Sequence, residues 1–369
     1  MASTVYFSSA RTSYGNNMHD KVIKLFRAAG VADVVSPKDL VAVKLHWGER
    51  GNLAYIPPPL ISSILREIET AGGLPFVTDA NTLYAGSRRN AYDNLMTAYG
   101  NGFSPAVIGA PVIVADGLFG DDYAVVPIKN GKHFKSCKIA SGIHRANSLI
   151  SVAHFKGHEG TGFGGTLKNV GMGCAAPSGK QNQHSDVKPK VTLKKCTGCR
   201  SCAKKCPVNA ITFNEEKKAQ IDREICIGCA DCTIACRFEA IAVNWKSDLK
   251  LMQEKMAEYA LAAIQEKHGK CAFFNFIINV TPDCDCCNFS DVPIVADIGI
   301  VVSKDPVAVD QASVDLVNKA PGISSSKLGD KAGSADKFRA IASVDWRHQL
   351  DHAQNIGLGS RDYKLIEIE

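Results

Sequence analysis

Cys196-Thr-Gly-Cys199-Arg-Ser-Cys202-Ala-Lys-Lys-Cys206-Pro207 and Cys226-Ile-Gly-Cys229-Ala-Asp-Cys232-Thr-Ile-Ala-Cys236 are the two runs that dominate the stretch Lys195–Arg237. Each spaces its cysteines C-x2-C-x2-C-x3-C, the spacing by which bacterial ferredoxins hold a [4Fe–4S] cube. Two intervening residues let consecutive thiolates converge on one cluster from a tight turn. The fourth cysteine of each run opens a short helix, points away and ligates the other cluster. The expected ligand sets are therefore crossed: Cys196, Cys199, Cys202 and Cys236 for one cluster, Cys226, Cys229, Cys232 and Cys206 for the other. A zinc site would use two C-x2-C pairs rather than two four-cysteine runs, and no secretory context supports a disulfide scaffold.

Those runs fill only part of a 369-residue chain, which is too long for a ferredoxin alone and suits about two domains. Hydrophobic residues at 45% and charged residues at 22% are ordinary for a globular protein. The N-terminus lacks a basic segment followed by an apolar run, and nowhere do enough apolar residues follow one another to span a bilayer. Fourteen cysteines without an export signal point to thiolate and metal chemistry in a reducing cytoplasm. The net charge of +6 is mild. Lys188, Lys190, Lys194, Lys195, Lys204 and Lys205 gather around the first run, either as a docking face for an acidic partner or as solvated surface. No motif argues for nucleic acid.

On both sides of the cysteine runs, apolar strands alternate with helices. Asp39–His46 and Leu74–Asp79 read as buried parallel strands, and Leu60–Ala71 as an amphipathic helix stopped by Gly72-Gly73. Pro111–Asp116, Tyr123–Ile128 and Asn147–Ala153 continue the strand pattern. Beyond the runs, Leu249–His268 is a long helix, and Ala272–Val280, Ile294–Val302 and Ala340–Val344 resume the strands. Val307–Lys319 is a helix opened by Asp305-Pro306. The expected architecture is α/β: a mainly parallel or mixed sheet flanked by helices, interrupted by an inserted α+β ferredoxin-like 2[4Fe–4S] domain. Its parts are 1–190, the insertion 191–246, and 247–369; two separate α/β halves are the alternative.

The segment His154-Phe-Lys156-Gly-His158-Glu159-Gly-Thr-Gly-Phe-Gly-Gly165-Thr-Leu-Lys168 follows a strand, where open α/β sheets bind ligands. Its glycines let backbone approach a ligand. Gly160-x-Gly162-x-x-Gly165 matches a dinucleotide fingerprint only formally, and the P-loop signature is absent. Histidines His154 and His158 with Lys156 and Lys168 suit an anionic or metal-bearing ligand. Asp283-Cys284-Asp285-Cys286-Cys287 places three thiols in four positions. They read as a third, thiolate-bound metal site with Cys174, as a redox dithiol, or as buried free thiols. His46 and the strand-end acids Asp79, Asp116, Asp297 and Asp310 complete the acid–base candidates, each acid also reading as a cap. Cys137 and Cys271 read as core thiols.

Taken together, Val43-Lys44-Leu-His46-Trp-Gly-Glu49, Thr78-Asp79-Ala-Asn81-Thr-Leu-Tyr84-Ala-Gly86-Ser-Arg88, His154-Phe-Lys-Gly-His158, Gly164-Gly-Thr-Leu-Lys168-Asn169, Pro282-Asp-Cys-Asp-Cys286 and Lys304-Asp-Pro-Val-Ala-Val-Asp310 closely resemble the iron–sulfur proteins of domain-of-unknown-function family 362, from end to end. The resemblance implies a ferredoxin-type insertion in a protein of anaerobes and leaves the reaction open. Arg237 stands where that family's pattern has proline after the last cysteine. His158 to Lys168 is also similar to the H-x-x-x-G-F-x-G-G-x-K segment of the lactate racemase family, where the histidine and lysine belong to a nickel-pincer nucleotide site. This chain has threonine where that family shows arginine, so the similarity bears on a strand-end site rather than on nickel.

The resulting expectation is a cytoplasmic redox enzyme. Electrons enter or leave through two [4Fe–4S] clusters, reaching a site near His46, His154, His158, Lys168, Cys174 and Cys284 to Cys287, with a small anion as substrate and a redox protein as partner. Its rivals are a pure electron carrier and a metal- or cluster-handling protein.

Overall fold

A computed structural model describes residues 2–84, 86–184, 188–226, 228–229, 231–241 and 248–369. Eight strands form the central sheet: β1 Ser3–Ser9, β2 Leu40–Lys44, β3 Leu74–Asp79, β4 Val112–Val114, β5 Ser148–His154, β6 Cys271–Ile277, β7 Gly299–Ser303 and β8 Tyr363–Glu367. Their spatial order is β8-β1-β7-β6-β5-β2-β3-β4. Only β7 runs against its neighbours, antiparallel to β1 and β6; every other pairing is parallel. The mixed α/β sheet is thus as expected. Strands from before and after the cysteine runs meet at the β5–β6 pairing, where Leu149 faces Cys271 and His154 faces Phe276. The two flanks build one sheet, not two α/β halves.

Both faces of the sheet are covered, which explains why the central strands read as unbroken apolar runs. On one face, α1 (Met18–Ala28) and α2 (Pro58–Thr70) enclose a core with Val41, Val43, Ile150, Phe274 and Phe276. On the other lie α3 (Thr166–Gly171), α4 (Pro177–His184), α5 (Leu249–Ile264), α6 (Pro306–Lys319) and α7 (Arg347–Asn355). There α5 packs against α3 and α7, and α6 covers β6. The expected start of α6 is present: Asp305 caps it, accepting from the backbone N–H of Val307 at 2.8 Å and Ala308 at 3.0 Å.

Of three local expectations, one holds outside the sheet, one holds in part and one fails. Tyr123–Pro127 is a strand, but it pairs with Ser136–Ala140 in a separate hairpin. Within Ile294–Val302 only the part from Gly299 joins the sheet. Ala340–Val344 is no strand: Asp336 caps a short helix, Lys337–Ile341, and the same carboxylate accepts from Trp346 Nε1 at 3.1 Å. Capping here overrides the apolar pattern.

Among the described residues of 188–241, none joins the sheet. They carry their own antiparallel pair, Ile211–Phe213 with Ala219–Ile221, and a bridge from Val191 to Ile241. Cys196, Cys202, Cys232 and Cys236 pack with Ile211, Ala219, Ala240 and Ile241 in a small cluster of their own. The expected boundary near 246 lies outside the described residues.

Candidate functional site

The two cysteine runs fold alike. Gly198 and Gly228 both take φ 72°, in the left-handed region that lets the chain turn sharply between the first two cysteines of each run. A short helix follows in each case, Ser201–Lys204 and Asp231–Ala235. The outcome is a crossed arrangement of thiols. Cys196, Cys199, Cys202 and Cys236 line one small cavity with Phe213, Ala219 and Ile241. Cys206, Cys226, Cys229 and Cys232 line another with Val208, Ile211 and Ile221. Backbone N–H groups of Ala210 and Ala240 reach the sulfurs of Cys206 and Cys236, each at 3.2 Å, and Ala219 reaches Cys196 at 3.4 Å. Four thiols around an apolar hollow, with N–H groups aimed at sulfur, fit a [4Fe–4S] cube in each cavity.

Helix α4 links this segment to the Ser136–Ala140 hairpin strand and to α5. Its Pro177 end packs against the Asp231–Ala235 helix that carries Cys232, and Lys180 and His184 farther along it line a third cavity. That cavity, of about 260 Å3, lies over the carboxyl ends of β2, β3 and β5, the position where open α/β sheets bind ligands. Five cations line it: Lys44, Arg88, Lys156, Lys168 and Lys180. A larger groove of about 780 Å3 separates the cysteine segment from the sheet and shares the wall Thr82–Tyr84 with it.

Several of these cations are held by buried acids. Lys44 pairs with Asp79 at 2.9 Å and donates to Asn169 Oδ1 at 2.9 Å. Arg88 lies 3.3 Å from both Asp79 and Glu49. Burial works against the Asp79 anion, but Lys44 and Arg88 hold its carboxyl below the usual range. Lys156 pairs with Asp285 at 3.1 Å. Lys180 differs: burial pulls its pKa down to about 8, only partly offset by Asp116 and Asp79. Burial likewise raises Asp116 to about 7.

The structure brings His46, His154, His158 and Lys168 to one cavity and separates their roles. His46 is neutral, its pKa driven well down by burial and then by Arg88; its Nδ1 accepts from Gly48 N–H at 3.0 Å, which leaves the proton on Nε2. His154 is engaged at both nitrogens, with Asp285 at 2.9 Å and the carbonyl of Ile278 at 2.8 Å. Its geometry is that of a brace. His158 Nδ1 accepts from the N–H groups of Gly160 (3.0 Å) and Thr161 (3.1 Å), so Nε2 carries its proton.

Lys168 Nζ reaches the buried Cys284 sulfur at 2.9 Å. Cys284 is held well below the ordinary thiol pKa, first by a hydrogen bond from Cys286 and, against the cost of burial, by Lys168 and His158. Cys286 is correspondingly pushed well up by that same bond, and it lines the cavity. Cys174 stands apart. Its sulfur lies in the core 3.9 Å from the carbonyl of Asn169, and burial raises it to about 11. Cys174 therefore does not join Cys284, Cys286 and Cys287 as expected. Cys137 and Cys271 are core thiols, as expected.

The glycines of 157–173 also serve internal packing. A Cβ on Gly165 would stand 2.3 Å from Asp310 Oδ1, on Gly171 2.2 Å from the Met256 carbonyl, and on Gly173 2.1 Å from the Asn169 carbonyl. All three permit close internal packing, and Gly165 and Gly173 also line the cavity. Asp310 is a cap, accepting from the N–H groups of Thr166 (2.7 Å) and Leu167 (2.8 Å) at the start of α3.

The comparisons with known proteins bear on this geometry. The domain of unknown function DUF362 matches residues 41–315, a span that includes the cavity residues and both cysteine runs. The chain belongs to the DUF362 family. No curated protein matches this DUF362 member. Among solved structures, the lactate racemase apoprotein from Thermoanaerobacterium thermosaccharolyticum is similar at 13% identity and TM-score 0.38, over 75% of this chain and 51% of that one. A protein from Thermotoga maritima is similar at 13% identity and TM-score 0.37, over 72% and 52%. The DUF362 chain thus spans about half the length of each. Among its described residues no helix is long and apolar enough to cross a membrane.

Sequence reasoning had not assigned Lys44, Arg88, Lys180 or His184 to the site. Lys44 and Arg88 sit within motifs that carry the family resemblance, so a signal was there. Lys180 and His184 lie on a helix of mostly polar residues with no periodic mark. One further group converges among the described residues: His133, Glu258 and His352, with ligand atoms within 4.8 Å of one another. Glu258 is saturated there by the N–H groups of Lys132 (2.7 Å) and Phe134 (2.9 Å) and by His352 (3.0 Å), a hydrogen-bonded brace rather than an open metal site.

Proposed function

We propose that this DUF362 protein is an iron–sulfur redox enzyme that exchanges electrons between two [4Fe–4S] clusters and a small organic anion held in the cationic cavity. The observation that carries the reading is the sorting of eight cysteines, crosswise, into two four-thiol cavities. Cys196, Cys199, Cys202 and Cys236 hold one cluster; Cys206, Cys226, Cys229 and Cys232 hold the other. When bound, such clusters supply single electrons at potentials set by hydrogen bonds to sulfur and by exposure. A redox protein is the external donor or acceptor.

The chain's own side chains do the rest. Lys156 and Lys168 bind the anion, with Asp285 and Cys284 fixing their ammonium groups. His46 offers a neutral Nε2–H donor. Lys180, with a pKa of about 8, is the cavity group best matched to exchanging a proton near neutral pH. His154 positions Asp285.

The test mixes dithionite-reduced protein anaerobically with a panel of small carboxylates and oxoanions and follows the cluster absorbance. At least one acceptor should reoxidise the clusters, and Lys168→Met should slow this by about tenfold or more, as loss of a charge-assisted bond worth roughly 1.5–3 kcal/mol requires. Unchanged reoxidation in a variant with both clusters intact would remove the cavity from the reaction.

A further inference from the structure

Cys286 lines the cationic cavity, and the buried Cys284 beside it does more than fix the Lys168 ammonium. The Cys284 sulfur faces the Lys168 ammonium at 2.9 Å and the backbone N–H of Cys286 at 3.5 Å. The Cys286 thiol hydrogen-bonds to it, and His158 adds a further donor. A thiolate paired with a thiol two residues along is poised for disulfide exchange. Two features oppose a metal at this place. An ammonium group against the thiolate repels a cation, and among the described residues the three sulfurs are not a set converging within 4.8 Å.

We propose that Cys284 and Cys286 are a redox couple that reduces a small anionic disulfide bound in the cavity and is itself re-reduced by cluster electrons. The source of those electrons rests on the two-cluster reading above. Cys286, which lines the cavity, passes its proton to Cys284 and attacks one sulfur of the substrate. The substrate S–S bond breaks, a mixed disulfide forms at Cys286, and one thiolate leaves. Cys284 then attacks Cys286, closing the Cys284–Cys286 bond, and its proton goes to the second leaving sulfur. The substrate disulfide thereby becomes one thiolate and one thiol. Reopening the protein disulfide takes two single electrons and one proton. Cys284 returns as the thiolate beside Lys168 and Cys286 as the thiol. Lys156 and Lys168 select an anionic substrate over a neutral one.

The experiment uses the full chain purified without oxygen, with 3,3′-dithiodipropionate as anionic probe and hydroxyethyl disulfide as neutral probe. After reaction, free thiols are alkylated and peptides mapped by mass. The expected result is a Cys284–Cys286 link that dithionite reopens, forming at least about tenfold faster with the anionic probe, a preference Lys168→Met abolishes. In Cys284→Ser the probe should stay attached at Cys286. The couple's equilibrium should shift tenfold per pH unit, about 30 mV, because one proton accompanies two electrons. A link between other cysteines, no link, or a hundredfold shift per pH unit would overturn the proposal. Iron analysis on the same sample separates the two ideas. A closing Cys284–Cys286 bond in iron-free protein keeps the couple and removes its electron source. Two intact clusters with no such bond keep the electron route and remove the couple.

Discussion

Asp285→Asn is the substitution on which the cavity's architecture makes its sharpest demand. The wild-type carboxylate is fully buried, contacts His154 Nδ1 through both oxygens at 2.9 and 3.0 Å, and pairs with Lys156 at 3.1 Å. Its backbone carbonyl also receives Glu49 N–H at 2.9 Å, tying β6's following loop to the loop after β2. Asparagine keeps the size and loses the charge, so the Lys156 ammonium is left buried without its counter-charge. Breaking a buried pair in this way costs about 3–5 kcal/mol. With a urea slope of about 3 kcal/mol per molar, the unfolding midpoint of the α/β body should fall by about 1–1.7 M. Asp297→Asn, at an exposed carboxylate that accepts from the Asn279 N–H, should fall within about 0.5 kcal/mol of wild type.

The same carboxyl carries a pH signature. Burial alone would raise its pKa, but His154 and Lys156 hold it well below the ordinary carboxylate value. A depressed folded-state pKa contributes stability above the unfolded value, about 3.9, that is lost as pH falls toward the folded one. Wild-type stability should therefore drop more steeply below pH 4 than that of Asp285→Asn. Equal urea midpoints for wild type and Asp285→Asn, or parallel acid limbs, would refute the reasoning.

Other outcomes follow from the same geometry. Cys206→Ala and Cys236→Ala should each remove a different cluster, leaving about four of eight irons, with Cys236→Ala losing the one whose other ligands lie in the first run; iron analysis and electron paramagnetic resonance of the two variants check this. Gly165→Ala places a methyl 2.3 Å from Asp310 Oδ1 and 2.9 Å from the Phe155 ring, so it should destabilise by about 1–3 kcal/mol, read by urea unfolding. Lys180 is charged below about pH 8 and neutral above it, while Asp116 ionises above about pH 7. Affinity for oxalate, measured by calorimetry, should accordingly fall between pH 7 and 9, and Lys180→Met should flatten that profile.

How much of this could be read from the chain differs by element. Val41–Val43 and Leu149–Val152 are buried on both faces of the sheet, and that burial wrote the apolar runs that marked them as central strands. The crossed sorting of the cysteines was legible because the spacing of each run sets its fourth cysteine apart from the first three. The cavity was legible only in part. His154 was visible as a candidate, yet its role as a brace depends on Asp285, 131 residues away. Lys180 gains its lowered pKa from burial among distant elements, which no local pattern encodes. Edge strand β8 escaped notice because its face is half exposed, with Lys364, Leu365 and Glu367 in solvent, so neither a continuous apolar run nor clean alternation survives. The Ala340–Val344 pattern misled because Asp336 and the buried Phe338 settle that segment as a helical turn.

Iron and acid-labile sulfide analysis of anaerobically purified full-length protein, paired with electron paramagnetic resonance after dithionite reduction, tests the central claim most directly. About eight irons and eight sulfides per chain and two interacting reduced [4Fe–4S] signals are expected. Zinc in place of iron, or only one cluster in protein with all eight cysteines intact, would contradict it.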